Sequence, residues 1–125
     1  MRNIFITILF FITIIPIFSQ GNLQYNQILN LEVTCCSPTS YTVPSGKVWK
    51  IESAVSANQY YPVRITNLNG KSLNGHICKD ANASYGVFPI VLPFWVAGNS
   101  VIQFNTGSNS GEKGFVSVIE FNIVP

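Results

Sequence analysis

Apolar and polar positions divide the chain into two regimes. Residues 4–18 form an apolar run broken only by Thr7, Thr13 and Pro16. From Gln20 onward, apolar and polar residues alternate in short stretches cut by Pro, Gly and Asn. Alternation places successive side chains on opposite sides of an extended backbone, so it predicts strands. No stretch repeats apolar residues at the spacing of a helix face.

The strand reading is specific in places. Leu31-Glu32-Val33-Thr34-Cys35 alternates, whereas residues 20–30 are rich in Asn and Gln and predict an irregular lead-in. The clearest unit is residues 41–55. Pro44-Ser45-Gly46 is a turn, because Pro presets its own φ and Gly tolerates a positive one. The strand after it places Trp49, Ile51, Ser53 and Val55 on one face, expected to be the core face. Val48, Lys50, Glu52 and Ala54 take the other. Residues 62–66 alternate and lead to Asn69-Gly70, the strongest short hairpin signal, with residues 71–79 as the returning strand. Residues 86–96 are apolar but interrupted by Pro89 and Pro93, which confines them to an edge or a bend. Ala97-Gly98-Asn99 turns into residues 101–104. In the terminal strand, residues 115–124, Phe115, Ile119, Phe121 and Ile123 share one face with Ser117. That face is expected inside, which leaves Glu120 as a solvated charge, like Glu52. Seven or eight short antiparallel strands at this spacing predict an all-β fold, a β-sandwich of jelly-roll-like form.

The first regime reads as an export signal. Arg2 precedes an apolar run of about 15 residues, short of the roughly 20 that span a bilayer as a helix. Small Ser19 precedes Gln20-Gly21, and no basic stop-transfer cluster follows. The expected organisation is a signal peptide over residues 1–19 and a single β-sandwich domain over residues 20–125. The product is then secreted to the extracellular space, the cell surface or the periplasm, with no membrane span in its mature form.

Charge narrows the partners. Seven Lys/Arg against five Asp/Glu give a net charge of +2, and removal of the leader takes Arg2 and leaves +1. The charges are scattered singly. No basic stripe neutralises phosphates, which argues against nucleic acid, and no basic cluster suits an anionic membrane surface.

Cys35, Cys36 and Cys78 are disulfide candidates, because export leads to an oxidising space. On a strand, Cys35 and Cys36 point to opposite faces, so only one meets Cys78 without distortion. Either pairing closes a loop of about 43 residues, for which chain entropy allows ~4 kcal/mol. A strained Cys35–Cys36 bond and three buried thiols are the alternatives.

The stretch Val43-Pro44-Ser45-Gly46-Lys47-Val48-Trp49-Lys50-Ile51-Glu52-Ser53 resembles a segment common in small secreted proteins of Bacteroidota. So do Leu92-Pro93-Phe94-Trp95-Val96-Ala97-Gly98, the ending Val118-Ile119-Glu120-Phe121-Asn122-Ile123-Val124-Pro125, and the Phe18-Ser19-Gln20 junction. The resemblance implies an exported β-sandwich domain. It assigns no chemistry and no functional residue.

No catalytic constellation emerges. His76 and Cys78 share a strand face, but His76 is the only histidine and zinc takes three or four protein ligands, so no metal is expected. Asp80, Asn82 and Ser84 hint at an irregular calcium loop. The regular loop fails, because Tyr85 and Val91 stand where Gly and Glu are required. A Cys/His nucleophile lacks any local protease signature, and the carboxylates are not visibly paired for glycoside hydrolysis. No cofactor and no enzyme activity are expected, and a small secreted hydrolase ranks last. The aromatic residues carry the binding signal. Tyr60 and Tyr61 fall in a predicted loop, and of adjacent Phe94 and Trp95 only one can face a core. These four are the expected ligand contacts of a non-enzymatic module that binds a glycan or a protein at the cell surface. The rival reading is a structural subunit of an extracellular homo-oligomeric assembly.

Overall fold

A computed structural model of the chain describes residues 22–56, 62–77, 88–90, 92–107, 111 and 113–124. The described strands are β1 (Asn22–Thr34), β2 (Thr39–Thr42), β3 (Lys47–Ser56), β4 (Val63–Leu68), β5 (Lys71–His76), β6 (Phe88–Pro89), β7 (Phe94–Ala97), β8 (Val101–Thr106) and β9 (Lys113–Val124). No helix occurs among the described residues.

The pairing is nested: β1 with β9, β2 with β8, β3 with β7, β4 with β5. The chain is thus one long hairpin with Asn69-Gly70 at its tip. Rolled up, it gives a four-stranded sheet, β1-β9-β3-β7, and a five-stranded sheet, β2-β8-β4-β5-β6. This is a jelly-roll arrangement of the β-sandwich. The strand pairing is antiparallel except at the two-residue contact of β5 with β6, and an isolated bridge between Cys35 and Thr106 is also parallel.

Local chemistry explains the turns. Asn69 (φ 53°) and Gly70 (φ 80°) are both left-handed, as a two-residue hairpin matched to strand twist requires. The Gly70 N–H donates to Asn67 Oδ1 at 2.8 Å. Gly46 (φ 70°) closes the turn after Pro44, and Asn99 (φ 63°) the turn after β7. These two turns lie side by side: the Asn99 N–H donates to Val43 O, and the Val43 N–H to Ser100 O, both at 2.9 Å. A Cβ on Gly98 would stand 2.8 Å from Lys47 O, so only glycine fits there.

The core lies between the sheets. Val33, Trp49, Ile51, Val116 and Val118 enter from the four-stranded sheet; Val63, Ile65, Ile102 and Phe104 enter from the other.

Several expectations are corrected. Trp49 and Ile51 are core residues, but the register of β3 against β9 slips between Ile51 and Ser53. A bulge adds one residue and reverses the faces beyond it. Ala54 therefore packs against the core, while Ser53 and Val55 (64% exposed) face solvent. In β9 the expected inner face is the outer one: Phe115 (49%) and Ile123 (46%) are exposed, and Val116, Val118 and Glu120 are buried. Both faces of residues 115–119 are apolar, so alternation alone does not say which turns inward. Pairing with Trp49 and Ile51 of β3 decides it. Residues 22–30 are not irregular but extend β1, because β9 offers a ladder along their length although most of their side chains are exposed. The strand returning from Asn69-Gly70 ends at His76, and β2 begins at Thr39.

Candidate functional site: an apolar outer face on the four-stranded sheet

The alternation that buries one side of the four-stranded sheet presents the other side to solvent. Strand register arranges that outer side in rows. Leu23 lies beside Ile123. Next come Tyr25, Phe121, Val48 and Ala97, one from each strand. Then come Ile28, Ile119, Lys50 and Trp95. A polar row of Asn30, Ser117 and Ser53 follows, and beyond it Glu32, Phe115 and Val55. Apart from Lys50, the first three rows are apolar and cover on the order of 300 Å² of sheet, from strand spacing and rise. That is the lower end of the largest patch a typical monomer exposes, and such patches are often functional.

Trp95 organises the patch. It is 47% exposed, and its ring lies 5.7 Å from that of Phe121, tilted by 33°. Lys50 Nζ sits 5.7 Å from the Trp95 ring centroid and also pairs with Glu52. The ammonium is attracted to the indole face. Glu32 and Lys113 form a second ion pair on this side, at 2.6 Å. The face therefore carries two cations and two anions, each cation beside an anion.

Beneath the same rows, the inner side holds a polar hub. Glu120 is 3% exposed. Its carboxylate accepts from Trp49 Nε1 at 2.8 Å, Asn26 Nδ2 at 2.6 Å and Gln27 Nε2 at 3.0 Å, with Lys47 Nζ 4.0 Å away. Desolvation pushes its pKa up. The hydrogen bonds from Trp49, Gln27 and Asn26 and the Lys47 charge outweigh that and hold it below the ordinary value. The expected solvated Glu120 is thus a buried anion. The β1 register slips between Tyr25 and Gln27. That bulge brings both Asn26 and Gln27 to the one carboxylate.

The expected contact residues divide. Phe94 packs against the core, and Trp95 faces solvent, as their adjacency requires. Tyr60 and Tyr61 lie outside the described residues, as do Cys78 and the Asp80, Asn82 and Ser84 loop. His76 is buried. β1 ends at Thr34, so Cys35 and Cys36 do not alternate across a strand. Cys36 is left-handed (φ 68°), and the two Sγ atoms lie 2.8 Å apart. The contact with Cys35 raises the Cys36 pKa above its ordinary value, with smaller contributions from burial and charge.

Sequence reasoning missed the outer face as a site. Its signal was present: residues 115–119 are apolar on both faces, so whichever face turns inward leaves apolar side chains on the other. The chain matches no protein-family model, no curated protein and no solved structure.

Proposed function

We propose that the chain is an exported, non-enzymatic β-sandwich module that binds a protein surface outside the membrane through the outer face of its four-stranded sheet. One observation carries the reading: the contiguous patch of Leu23, Ile123, Tyr25, Phe121, Ile28 and Trp95 is turned to solvent. Export follows from the apolar leader, and the likeness to small secreted proteins of Bacteroidota agrees with it. Aromatic rings alone would suit a sugar. Here aliphatic side chains from β1, β3 and β9 outnumber the rings, and aliphatic surface is best covered by apolar protein.

The test uses protein secreted by the producing cells. Intact mass gives a chain starting at or near Gln20; Met1 retained in a membrane fraction refutes export. The secreted protein is then incubated with washed cell envelopes, cellulose and chitin. Depletion by envelopes, weakened at least tenfold in Trp95→Ser with unchanged Tm, supports the reading. Depletion by a polysaccharide transfers the face to glycan binding. Attachment that survives Trp95→Ser combined with Tyr25→Ser places envelope binding on another surface.

A further inference from the structure

We infer that the partner of this face is a second copy of the chain, joined in a two-fold, face-to-face dimer of the four-stranded sheets. The inference rests on the reading that the outer face is a contact surface.

Three features select a second copy. The first is area. Strands β1, β9, β3 and β7 side by side span about 600 Å² of sheet, so full overlap of two copies covers about 1,200 Å² before side-chain relief is added. That reaches the lower end of stable, specific interfaces. The second is charge. Lys50 with Glu52 and Lys113 with Glu32 make the face neutral, with both signs present. A copy rotated by two-fold symmetry meets no net repulsion, and one copy's Lys50 can approach the other's Glu52. A face of one dominant sign would repel its own copy. The third is shape. A two-fold contact requires the same patch on both sides, and two sheets stack well at about 10 Å when their side chains interdigitate. Within one row the large Tyr25-Phe121 pair stands beside the small Val48-Ala97 pair, so a rotated copy can set its large pair over the small one. The polar row of Asn30, Ser117 and Ser53 separates the patch from Phe115 and Val55 and limits sliding along the strands.

The two tryptophans supply the assay. Trp49 is 4% exposed in the core, and Trp95 is 47% exposed on the face. Secreted protein is taken from nanomolar to high micromolar concentration in sedimentation velocity, with acrylamide quenching of fluorescence on the same samples. The expected result is a two-fold rise in sedimenting mass, accompanied by loss of the quenchable tryptophan fraction. Trp95→Lys and Tyr25→Lys, both at exposed positions, should each remain folded and hold the monomer mass at every concentration. A single monomer mass for the unaltered chain overturns the inference. So does a dimer in which Trp95 stays quenchable, or one that survives both lysine variants; either places the contact on another surface. The envelope assay separates the two levels. A monomer whose attachment is lost in Trp95→Lys keeps the face and excludes the second copy. A monomer whose attachment is unchanged in that variant removes both.

Discussion

Replacing Glu120 is the most demanding test of the inner architecture. In Glu120→Ala, the Asn26 and Gln27 amides sit on exposed residues and can turn to water. The Trp49 indole N–H cannot, because it is buried in the sandwich. Stranding a buried donor costs about 1–3 kcal/mol, and the lost hydrogen bonds to a charged acceptor add to it. The total is about 2–4 kcal/mol, or a fall in Tm of roughly 10–20 °C for a domain of this size. Glu120→Gln keeps one acceptor oxygen but turns an amide N–H₂ toward other donors, so it should cost about half as much. Trp49→Phe removes the stranded donor in advance, and in that background Glu120→Ala should cost clearly less than in the unaltered chain. The pH dependence has a defined sign. The folded pKa of Glu120 lies below the unfolded 4.5. The folded state therefore binds fewer protons between the two values, and stability rises with pH there. The Tm gap between the unaltered chain and Glu120→Gln should be full above pH 4.5 and shrink as pH falls through the folded pKa. Thermal melts monitored by circular dichroism from pH 7 to pH 2 measure both effects. An unchanged Tm in Glu120→Ala, or a gap that widens in acid, would refute the buried-anion hub.

Three further outcomes follow from the geometry. Ile51→Ala should lose about 2–5 kcal/mol, whereas Val55→Ala, four residues along the same strand, should stay within about 0.5 kcal/mol; equal losses in urea unfolding would deny the bulge between them. Gly98→Ala places a methyl 2.8 Å from the Lys47 carbonyl and should destabilise by about 1–3 kcal/mol, so a Tm at or above that of the unaltered chain would mean the paired turns do not touch. Trp95→Ser should change stability by under about 1 kcal/mol, because the ring is half exposed; a large fall in Tm would make Trp95 part of the scaffold rather than the contact face.

Local chemistry made much of the fold legible from the residues alone. Alternation with Pro and Gly breaks announced strands. Asn69-Gly70 and Pro44-Ser45-Gly46 announced turns, because few residues adopt a left-handed φ without strain. Adjacency of Phe94 and Trp95 required one ring to point outward. The remaining facts depend on pairs far apart in the chain. Which face of β9 turns inward depends on β3, some seventy residues earlier, because Val116-Val118 and Phe115-Ile119 are equally apolar. The faces of β3 reverse at a bulge, and a single inserted residue leaves no mark on hydrophobicity. The Asn- and Gln-rich start of β1 became a strand because β9 supplied backbone partners, which side-chain composition does not encode. Glu120 looked like a surface charge until Trp49, Asn26 and Gln27 were brought to it across two strand junctions. Period two separates a strand's faces; only the packing of one sheet on the other tells inside from outside, and that choice turned the apolar row of Tyr25, Phe121, Val48 and Ala97 outward.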